Sequence, residues 1–279
     1  MKTPTTAAAL LALLPAIAEA HDHRTEFDHE PASAEDRRPT FSDVSEVDGH
    51  TPVPDLPAGE AAQARPVAYE PREEMTLAFI FHVDEGLAEQ DVFFEREPGS
   101  GEVYRPTGAT RELDAPLYAP AEPVAHSPLQ TENVGPWAAG EPLGFTLGEW
   151  FAAEGSATYS CEDGEGRLDA RFANLVPNGL YTMWHDFAVW PPTDPFPGFY
   201  DLPFGARDGS ENAFRAEADG SAAFEAVIKP CLQLSGEQLI SELAIAYHSD
   251  DETHGATPGT FSTDTHVQLY VTLPKRTGL

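Results

Sequence analysis

The sequence predicts an all-β protein, an antiparallel β-sandwich or small barrel, with a disordered acidic N-terminal segment. After residue 130, apolar and polar residues alternate with a period of two in several short segments, as they do in half-buried strands. Turns rich in Gly, Pro and Asp separate these segments. Only GEWFAAEG indicates a short helical turn. These observations together favour two packed sheets or a closed sheet over a helical fold.

Two hairpins are predicted from paired alternating segments with turn residues between them. In the first, ATYSC and RLDARFANL flank EDGEG, and Leu168, Ala170 and Phe172 share one apolar face. In the second, ENAFRAEA and SAAFEAVI flank DG, and Phe214, Phe224 and Ile228 point inward. Upstream, MTLAFIFHV and DVFFERE are interpreted as two strands joined by a turn.

Two further strands complete the predicted set. LAIAYHS has an apolar face made of Leu243, Ile245 and Tyr247. HVQLYVTL has one made of Val267, Leu269, Val271 and Leu273. Because side chains alternate along a strand, this parity places His248 and His266 on the opposite faces, at strand ends where sites are commonly built.

The composition divides the chain into four predicted parts. They are a signal peptide (1–20), a disordered acidic and Pro-rich tail (21–73), a strand pair with a Pro-rich connection (74–129) and a β-sandwich domain (130–279). The signal peptide is indicated by Lys2, the apolar run 7–18 and small residues at possible cleavage positions after Ala18 or Ala20. That run is too short to span a bilayer, so we expect a secreted, periplasmic or cell-surface protein rather than an integral membrane protein.

The charge of the chain limits its partners. The formal net charge is -31, and only three of the 16 basic residues are lysine. Such a surface repels nucleic acid, and an excess of carboxylates with few lysines is interpreted as adaptation to salt. We therefore expect no nucleic acid as partner, and the histidines and aromatic residues described below make a metal ion or small ligand the expected partner.

The chain has two cysteines, Cys161 and Cys231. In an exported protein such a pair is expected to form a disulfide. Neither cysteine belongs to a CxxC pair, so the sequence gives no support to thiol redox catalysis.

Four segments carry a resemblance to a known group. GFTLGEW (144–150), NLVPNGLYTMW (174–184), DGSENAF (208–214) and YHSDDETHG (247–255) resemble an uncharacterised family of exported proteins of bacteria and halophilic archaea. The resemblance covers about the last half of the chain. It implies a secreted all-β domain, and it implies no activity.

Cleavage of the signal peptide would create a possible copper site. A cut after Ala20 frees His21-Asp22-His23, and a cut after Ala18 leaves His21 third from the new amine. In either product the amine, two backbone amides and an imidazole can surround Cu(II) or Ni(II) in a square plane. This site would need no folded protein around it.

The tail site predicts that His21→Ala/His23→Ala removes a tight 1:1 copper site from the mature protein, because the imidazole completes the ligand set. N-terminal sequencing followed by copper titration measures this. Unchanged copper binding by the double variant would contradict the assignment.

A second candidate site lies in the β region. Its histidines are His185, His248, His254 and His266, accompanied by Asp186, Asp250, Asp251 and Asp264. Two or three imidazoles and a carboxylate suit copper or zinc and leave a position open for water. A histidine-rich metalloenzyme, distantly like the copper-zinc superoxide dismutases, is the alternative. However, the strand expected to carry HxH reads GLYTMWHDF.

Calcium is a less favoured cofactor. Asp163, Glu165 and Asp169, and the DDE of residues 250–252, lack the ligand spacing of a calcium loop.

The loop 184–204 is rich in aromatic residues. Trp184, Trp190, Phe199 and Tyr200 are candidate ligand-binding residues for a carbohydrate or a protein partner. The interpretation favoured overall is an exported, salt-adapted binding or surface-associated module that captures a transition metal, and an enzyme is the less favoured class.

Overall fold

Alternating apolar residues produce thirteen strands in the described part of the chain, and these strands form three antiparallel sheets. A computed structural model describes residues 74–87, 90–125, 133–194 and 196–275. The predicted signal peptide and acidic tail, including His21 and His23, lie outside these ranges.

The strands are β1 (Met75–Phe79), β2 (Phe93–Glu95), β3 (Glu102–Tyr104), β4 (Pro116–Pro120), β5 (Trp137–Thr146), β6 (Glu154–Glu162), β7 (Glu165–Ala173), β8 (Leu180–Val189), β9 (Tyr200–Pro203), β10 (Ala213–Arg215), β11 (Ala222–Ile228), β12 (Leu239–His248) and β13 (Thr265–Thr272). A 3-10 helix spans His82–Glu85, and α1 spans Leu147–Trp150.

The first sheet has the order β1-β6-β7-β11. Strands β6 and β7 form the predicted hairpin around Asp163 and Gly164, whose φ angles of 53° and 76° suit a two-residue turn with the right-handed twist of the strands. Leu168, Ala170 and Phe172 are buried on one face of β7. The predicted pattern of this hairpin is confirmed.

The second sheet has the order β10-β8-β12-β13, and β9 also pairs with β8. Its longest pairing joins β8 and β12 along their full lengths, from Leu180 opposite His248 to Val189 opposite Leu239. Leu243 and Ile245 of β12 are fully buried on the face toward the first sheet.

One hydrophobic core joins the two sheets. Phe172 of the first sheet stacks on Phe214 of the second, with ring centroids 5.5 Å apart. Phe204, which follows β9, meets Phe224 of β11 edge to face at 6.0 Å. Two sheets that bury their apolar faces against each other form a β-sandwich, which confirms the predicted fold class.

The third sheet closes into a small barrel with the strand order β2-β3-β5-β4. Phe93 and Val103 are fully buried in it and pack with the half-buried Trp137. Phe93 and Trp137 meet edge to face at 5.3 Å.

The second predicted hairpin is wrong. Strand β10 pairs with β8 in the second sheet, whereas β11 pairs with β7 in the first. The turn between them therefore carries the chain across the sandwich. An alternating pattern specifies which face is buried but not which strand lies alongside, so the segments were correct and the pairing was not.

The two upstream strands, β1 and β2, belong to different sheets. Strand β1 pairs with β6 of the sandwich, and β2 pairs with β3 and β4 of the barrel. Because β1 lies in the same sheet as β6, the predicted boundary at residue 130 does not separate two sets of strands.

The predicted parity of β13 is wrong at its start. The register between β12 and β13 shifts between Ile245 and Ala246, so Gln268 is the extra residue of a β-bulge. His266 consequently lies opposite Tyr247, on the same face as Leu269. His248 keeps the predicted parity, so the two histidines are on opposite faces.

The short helix α1 falls within the predicted GEWFAAEG segment. Thr146 caps it: the backbone N–H of Glu149 donates to Thr146 Oγ1 at 3.3 Å, and the backbone N–H of Thr146 donates to Glu149 Oε2 at 2.7 Å. Among the described residues there is no helix whose length and apolar character would let it cross a membrane.

Cys161 and Cys231 form the predicted disulfide, with Cα atoms 5.9 Å apart and a sequence separation of 70. Cys161 lies in β6, and Cys231 follows β11. The bond thus links the central and edge regions of the first sheet.

Replacing both cysteines by alanine is expected to lower the free energy of unfolding by about 4 kcal/mol, because the bond restricts the unfolded chain over a long loop. Urea unfolding without reductant measures the change, and the parent treated with reductant is the matched control. Equal midpoints for the parent and the double variant would contradict the expectation.

Candidate metal centre

The candidate site lies where β12 ends and the loop to β13 begins. His248 is the last residue of β12, and its partners across the sheet are Leu180 of β8 and Thr265 of β13. Its side chain is on the face that points away from the main core, yet it is only 2% exposed. The loop therefore covers one side of the imidazole.

Three side chains meet at this point. His248, Asp250 and His254 each present one potential ligand atom, and these atoms lie within 4.8 Å of one another. The His248 and His254 ring centroids are 5.7 Å apart. His248 is buried, His254 is half-buried and Asp250 is exposed, so the site opens to solvent on the Asp250 side.

Asp250 is oriented by the turn that contains it. The backbone N–H of Glu252 donates to Asp250 Oδ1 at 3.1 Å. The other oxygen, Oδ2, lies 3.0 Å from Nε2 of His254. One carboxylate oxygen is thus held by the backbone, and the second faces the imidazole.

Nε2 of His254 is buried but makes no well-aligned hydrogen bond with the described residues, even though Asp250 Oδ2 is close. Buried polar atoms are normally satisfied, and a cation shared by the nitrogen and the carboxylate would satisfy both groups. The distance of 3.0 Å shows that the carboxylate and the imidazole are close enough to share one cation.

Gly259 makes room for the His254 ring. A Cβ at this position would lie 2.6 Å from Cδ2 and 2.9 Å from Nε2 of His254. It would also lie 2.7 Å from Oγ1 of Thr265. The φ angle of Gly259 is +92°, which side chains rarely adopt, so both space and backbone require glycine here.

His248 is held by hydroxyl groups on both sides of its ring. Nε2 lies 2.7 Å from Oγ1 of Thr182, and Nδ1 lies 3.5 Å from Oγ1 of Thr265. The Trp184 indole N–H donates to the same Thr182 oxygen at 2.6 Å. Thr182 thus connects His248 to a buried tryptophan.

Burial, together with a smaller effect of the neighbouring His254, lowers the pKa of His248 to about 4, against an opposing effect of Asp250. His248 is therefore neutral near pH 7, which is the form that binds a metal ion. Two imidazoles and a carboxylate form a ligand set that suits zinc or copper, with a further position open to solvent.

His185 lies away from this group. It is on the core-facing side of β8 opposite Leu243. Its Nε2 lies 2.9 Å from the hydroxyl oxygen Oγ of Ser241. That hydroxyl donates to the carbonyl of Gln233, so it accepts from the imidazole. Burial lowers the pKa of His185 to about 3.

His266 also lies outside the group, and both of its ring nitrogens have hydrogen-bond partners. Its Nδ1–H donates to the carbonyl of Asp91 at 2.7 Å, and Nε2 lies 2.9 Å from Oγ of Ser249. The side chain is fully buried, and burial lowers its pKa. The hydrogen bond from His266 to Asp91 links the segment just before β2 to the start of β13.

The four aspartates predicted to accompany the histidines do not all lie at the site. Of the four predicted with the histidines, Asp250 belongs to the group. Asp251 forms an ion pair with Arg215 at 2.8 Å, which ties the loop to β10. Asp186 is in β8 opposite Glu242, and Asp264 lies in the loop just before β13.

The aromatic loop does not present a flat, exposed surface in its described residues. Trp184 is buried, and Trp190, Phe199 and Tyr200 are half-buried. Phe199 meets Phe196 edge to face with an interplanar angle of 72°. Stacking of a sugar ring requires an exposed face, so this arrangement gives little support to the carbohydrate alternative.

Two of the carboxylates considered for calcium, Glu165 and Asp169, have cationic partners. Glu165 pairs with Lys229 at 3.1 Å and also with Arg167. Asp169 pairs with Arg171 at 2.5 Å.

Thr182, Trp184 as a hydrogen-bond donor, and Gly259 were not predicted from the sequence to take part in the site. Parity does place Thr182 and His248 on one face once β8 and β12 are paired. That pairing is a long-range property, so it was not visible in either segment alone.

Comparison of the sequence with known proteins assigns no family and no function to the chain. No model of a known protein family matches the sequence, and no curated protein matches it significantly. The resemblance to exported all-β proteins therefore stays a prediction.

The buried histidines predict that acid destabilises the fold. Because the pKa of His185 falls from 6.5 to about 3 on folding, the unfolded chain binds more protons below pH 6.5. The contribution of His185 to the free energy of unfolding is complete above pH 6.5. It is lost as the pH falls toward 3, at about 1.4 kcal/mol per pH unit.

Urea unfolding of the parent and His185→Gln at several pH values, in chelator and high salt, measures this contribution. Between pH 6.5 and 5 the variant should show the shallower decline, and above pH 7 the two profiles should run parallel. Equal slopes below pH 6.5 would contradict the assigned cause.

Proposed function

We propose that this protein is an exported, salt-adapted binding module that captures a zinc or copper ion at His248, Asp250 and His254. The observation that carries the proposal is the convergence of two imidazoles and one carboxylate within 4.8 Å. Imidazole nitrogens with a carboxylate oxygen suit these ions better than calcium, which prefers a full set of oxygen ligands.

The arrangement of the four candidate histidines favours a binding module over a histidine-rich metalloenzyme. Two of them, His248 and His254, come together, whereas His185 and His266 have hydrogen-bond partners elsewhere. When a metal ion is bound, it would supply a positive charge that attracts a further ligand at the open position. His248 and His254 would hold it from the protein side, and Asp250 would offset its charge.

The proposal of export draws support from the disulfide. A bond between Cys161 and Cys231 is typical of proteins that fold in an oxidising compartment. The formal net charge of -31 would also raise the local concentration of cations around such a protein.

Zinc and copper titration by calorimetry tests the site, using the full chain with His21→Ala/His23→Ala so that the tail does not compete. His254→Ala and Asp250→Asn should each weaken binding by more than the roughly 10–100-fold that losing an outer partner costs. Asp251→Asn is the matched control, because Asp251 lies in the same loop but outside the group.

The expected stoichiometry is one ion per chain, and the control should bind like the parent. Metal at about 100 times its dissociation constant should also stabilise the parent by about 2.7 kcal/mol. If His254→Ala and Asp250→Asn bind zinc and copper as tightly as the control, the proposed site is wrong.

A further inference from the structure

A chain of hydrogen bonds runs from a buried tryptophan to the candidate metal centre. The Trp184 indole N–H lies 2.6 Å from Oγ1 of Thr182, and that oxygen lies 2.7 Å from Nε2 of His248. All three side chains are almost completely buried, with exposed fractions of 3%, 1% and 2%. Water therefore does not compete with these contacts.

The donors and acceptors of this chain favour one position for the imidazole proton. An indole nitrogen only donates, so Thr182 Oγ1 accepts from Trp184 and has its own proton left to give. Among its described contacts, the acceptor for that proton is Nε2 of His248. A nitrogen that accepts carries no proton, so the neutral ring is protonated on Nδ1.

The contacts on the other side of the ring agree. The Thr265 hydroxyl donates to the carbonyl of Pro258, so its oxygen is available to accept from Nδ1–H of His248. That contact is long, at 3.5 Å, so it holds the proton weakly. Nδ1 is therefore the less firmly occupied of the two nitrogens.

Nδ1 is also the nitrogen on the side of the ring that faces Thr265, which lies next to the His254 ring. Thr265 Oγ1 and Nε2 of His254 both crowd the position of a Cβ on Gly259, at 2.7 Å and 2.9 Å. They therefore belong to one small region, which Nδ1 of His248 borders. Nε2 of His248 instead points at Thr182, on the far side of the ring.

We propose, on the basis of the proposed metal site, that Thr182 positions His248 so that it binds the ion through Nδ1, and that binding reverses the tautomer of the ring. The proton on Nδ1 leaves to solvent and another is taken up on Nε2, so the imidazole stays neutral. Nε2–H then donates to Thr182, whose two lone pairs accept from the imidazole and the indole together, and the Thr182 hydroxyl proton gives up its hydrogen bond to Nε2.

Thr182 is a positioning residue in this scheme, because it acts on the ion only through His248. A metal-bound imidazole is commonly oriented by a hydrogen bond from its other nitrogen, which also raises its basicity as a ligand. Valine has nearly the same shape but lacks the hydroxyl, whereas serine keeps it. The pair of variants therefore separates the hydrogen bond from the packing.

The connection also makes Trp184 a reporter of the site. Its indole N–H is bonded to an oxygen whose second hydrogen bond reverses direction when the ion binds. Zinc absorbs no visible light and undergoes no redox change, so a change in tryptophan emission on zinc addition would come from the protein. The Trp184→Phe variant shows whether the signal belongs to this ring.

Zinc chloride titrated into the full chain carrying His21→Ala/His23→Ala tests the role of Thr182. Thr182→Val should weaken zinc binding by about 10–100-fold and remove the change in emission, and Thr182→Ser should restore both. Ser241→Ala is the matched control, because it removes the hydroxyl on Nε2 of another buried histidine, His185, in the same sheet. The control should bind zinc like the parent.

Nitrogen NMR of the imidazole of His248 tests the tautomer in the parent, without any substitution near the site. The expected spectra show protonation on Nδ1 in chelator and on Nε2 with zinc. Protonation that stays on Nδ1 with zinc bound would overturn this inference, as would equal zinc affinities of the parent and Thr182→Val.

The outcomes distinguish the inference from the proposed function. If His254→Ala abolishes zinc binding and Thr182→Val leaves it unchanged, the metal site stands and the role of Thr182 is overturned. If the parent binds no zinc, the role assigned to Thr182 is overturned, and if it binds no copper either, the proposed metal site is overturned as well.

Discussion

The pairing of β8 with β12 is the constraint on which the rest of this structure depends. Ten residues of each strand lie in register without interruption, from Leu180 opposite His248 to Val189 opposite Leu239. Because side chains alternate across a strand, this register places Leu243 and Ile245 in the main core and His248 on the other face. It also brings Thr182 diagonally beside His248, close enough for a 2.7 Å hydrogen bond. A shift of one residue would exchange the two faces and separate these groups.

Burial on both faces of this sheet determines the chemistry of its histidines. A charged imidazole inside the protein loses hydration, so burial favours the neutral ring at His185, His248 and His266. The three differ in what occupies their nitrogens. His185 and His266 are held by hydrogen bonds that involve backbone carbonyls or neighbouring hydroxyls, and they serve the fold. His248 lies at the strand end, beside the Asp250 turn and the His254 ring, where a neutral nitrogen has other potential ligands within reach.

The sequence was informative where a property is local and limited where it depends on distant pairing. Alternation predicted the β6–β7 hairpin and the buried face of Leu168, Ala170 and Phe172, since a two-residue turn leaves little choice of partner. It misassigned β10 and β11, because a strand with one apolar face can join either sheet of a sandwich. The bulge at Gln268 moved His266 to the opposite face of the strand from the one predicted. No residue type in the sequence indicates such an insertion. Of the candidate site, the residue types and two of the histidines were predictable, whereas Thr182 required knowledge of the register.

The central claim is that one transition-metal ion binds between His248, Asp250 and His254. The most direct measurement is anomalous diffraction at the zinc absorption edge from crystals of the zinc-loaded protein. The account predicts an anomalous peak about 2.0–2.2 Å from one nitrogen of each histidine and from an oxygen of Asp250. Zinc found at other residues of the β-sandwich, with these three side chains uncoordinated, would contradict it.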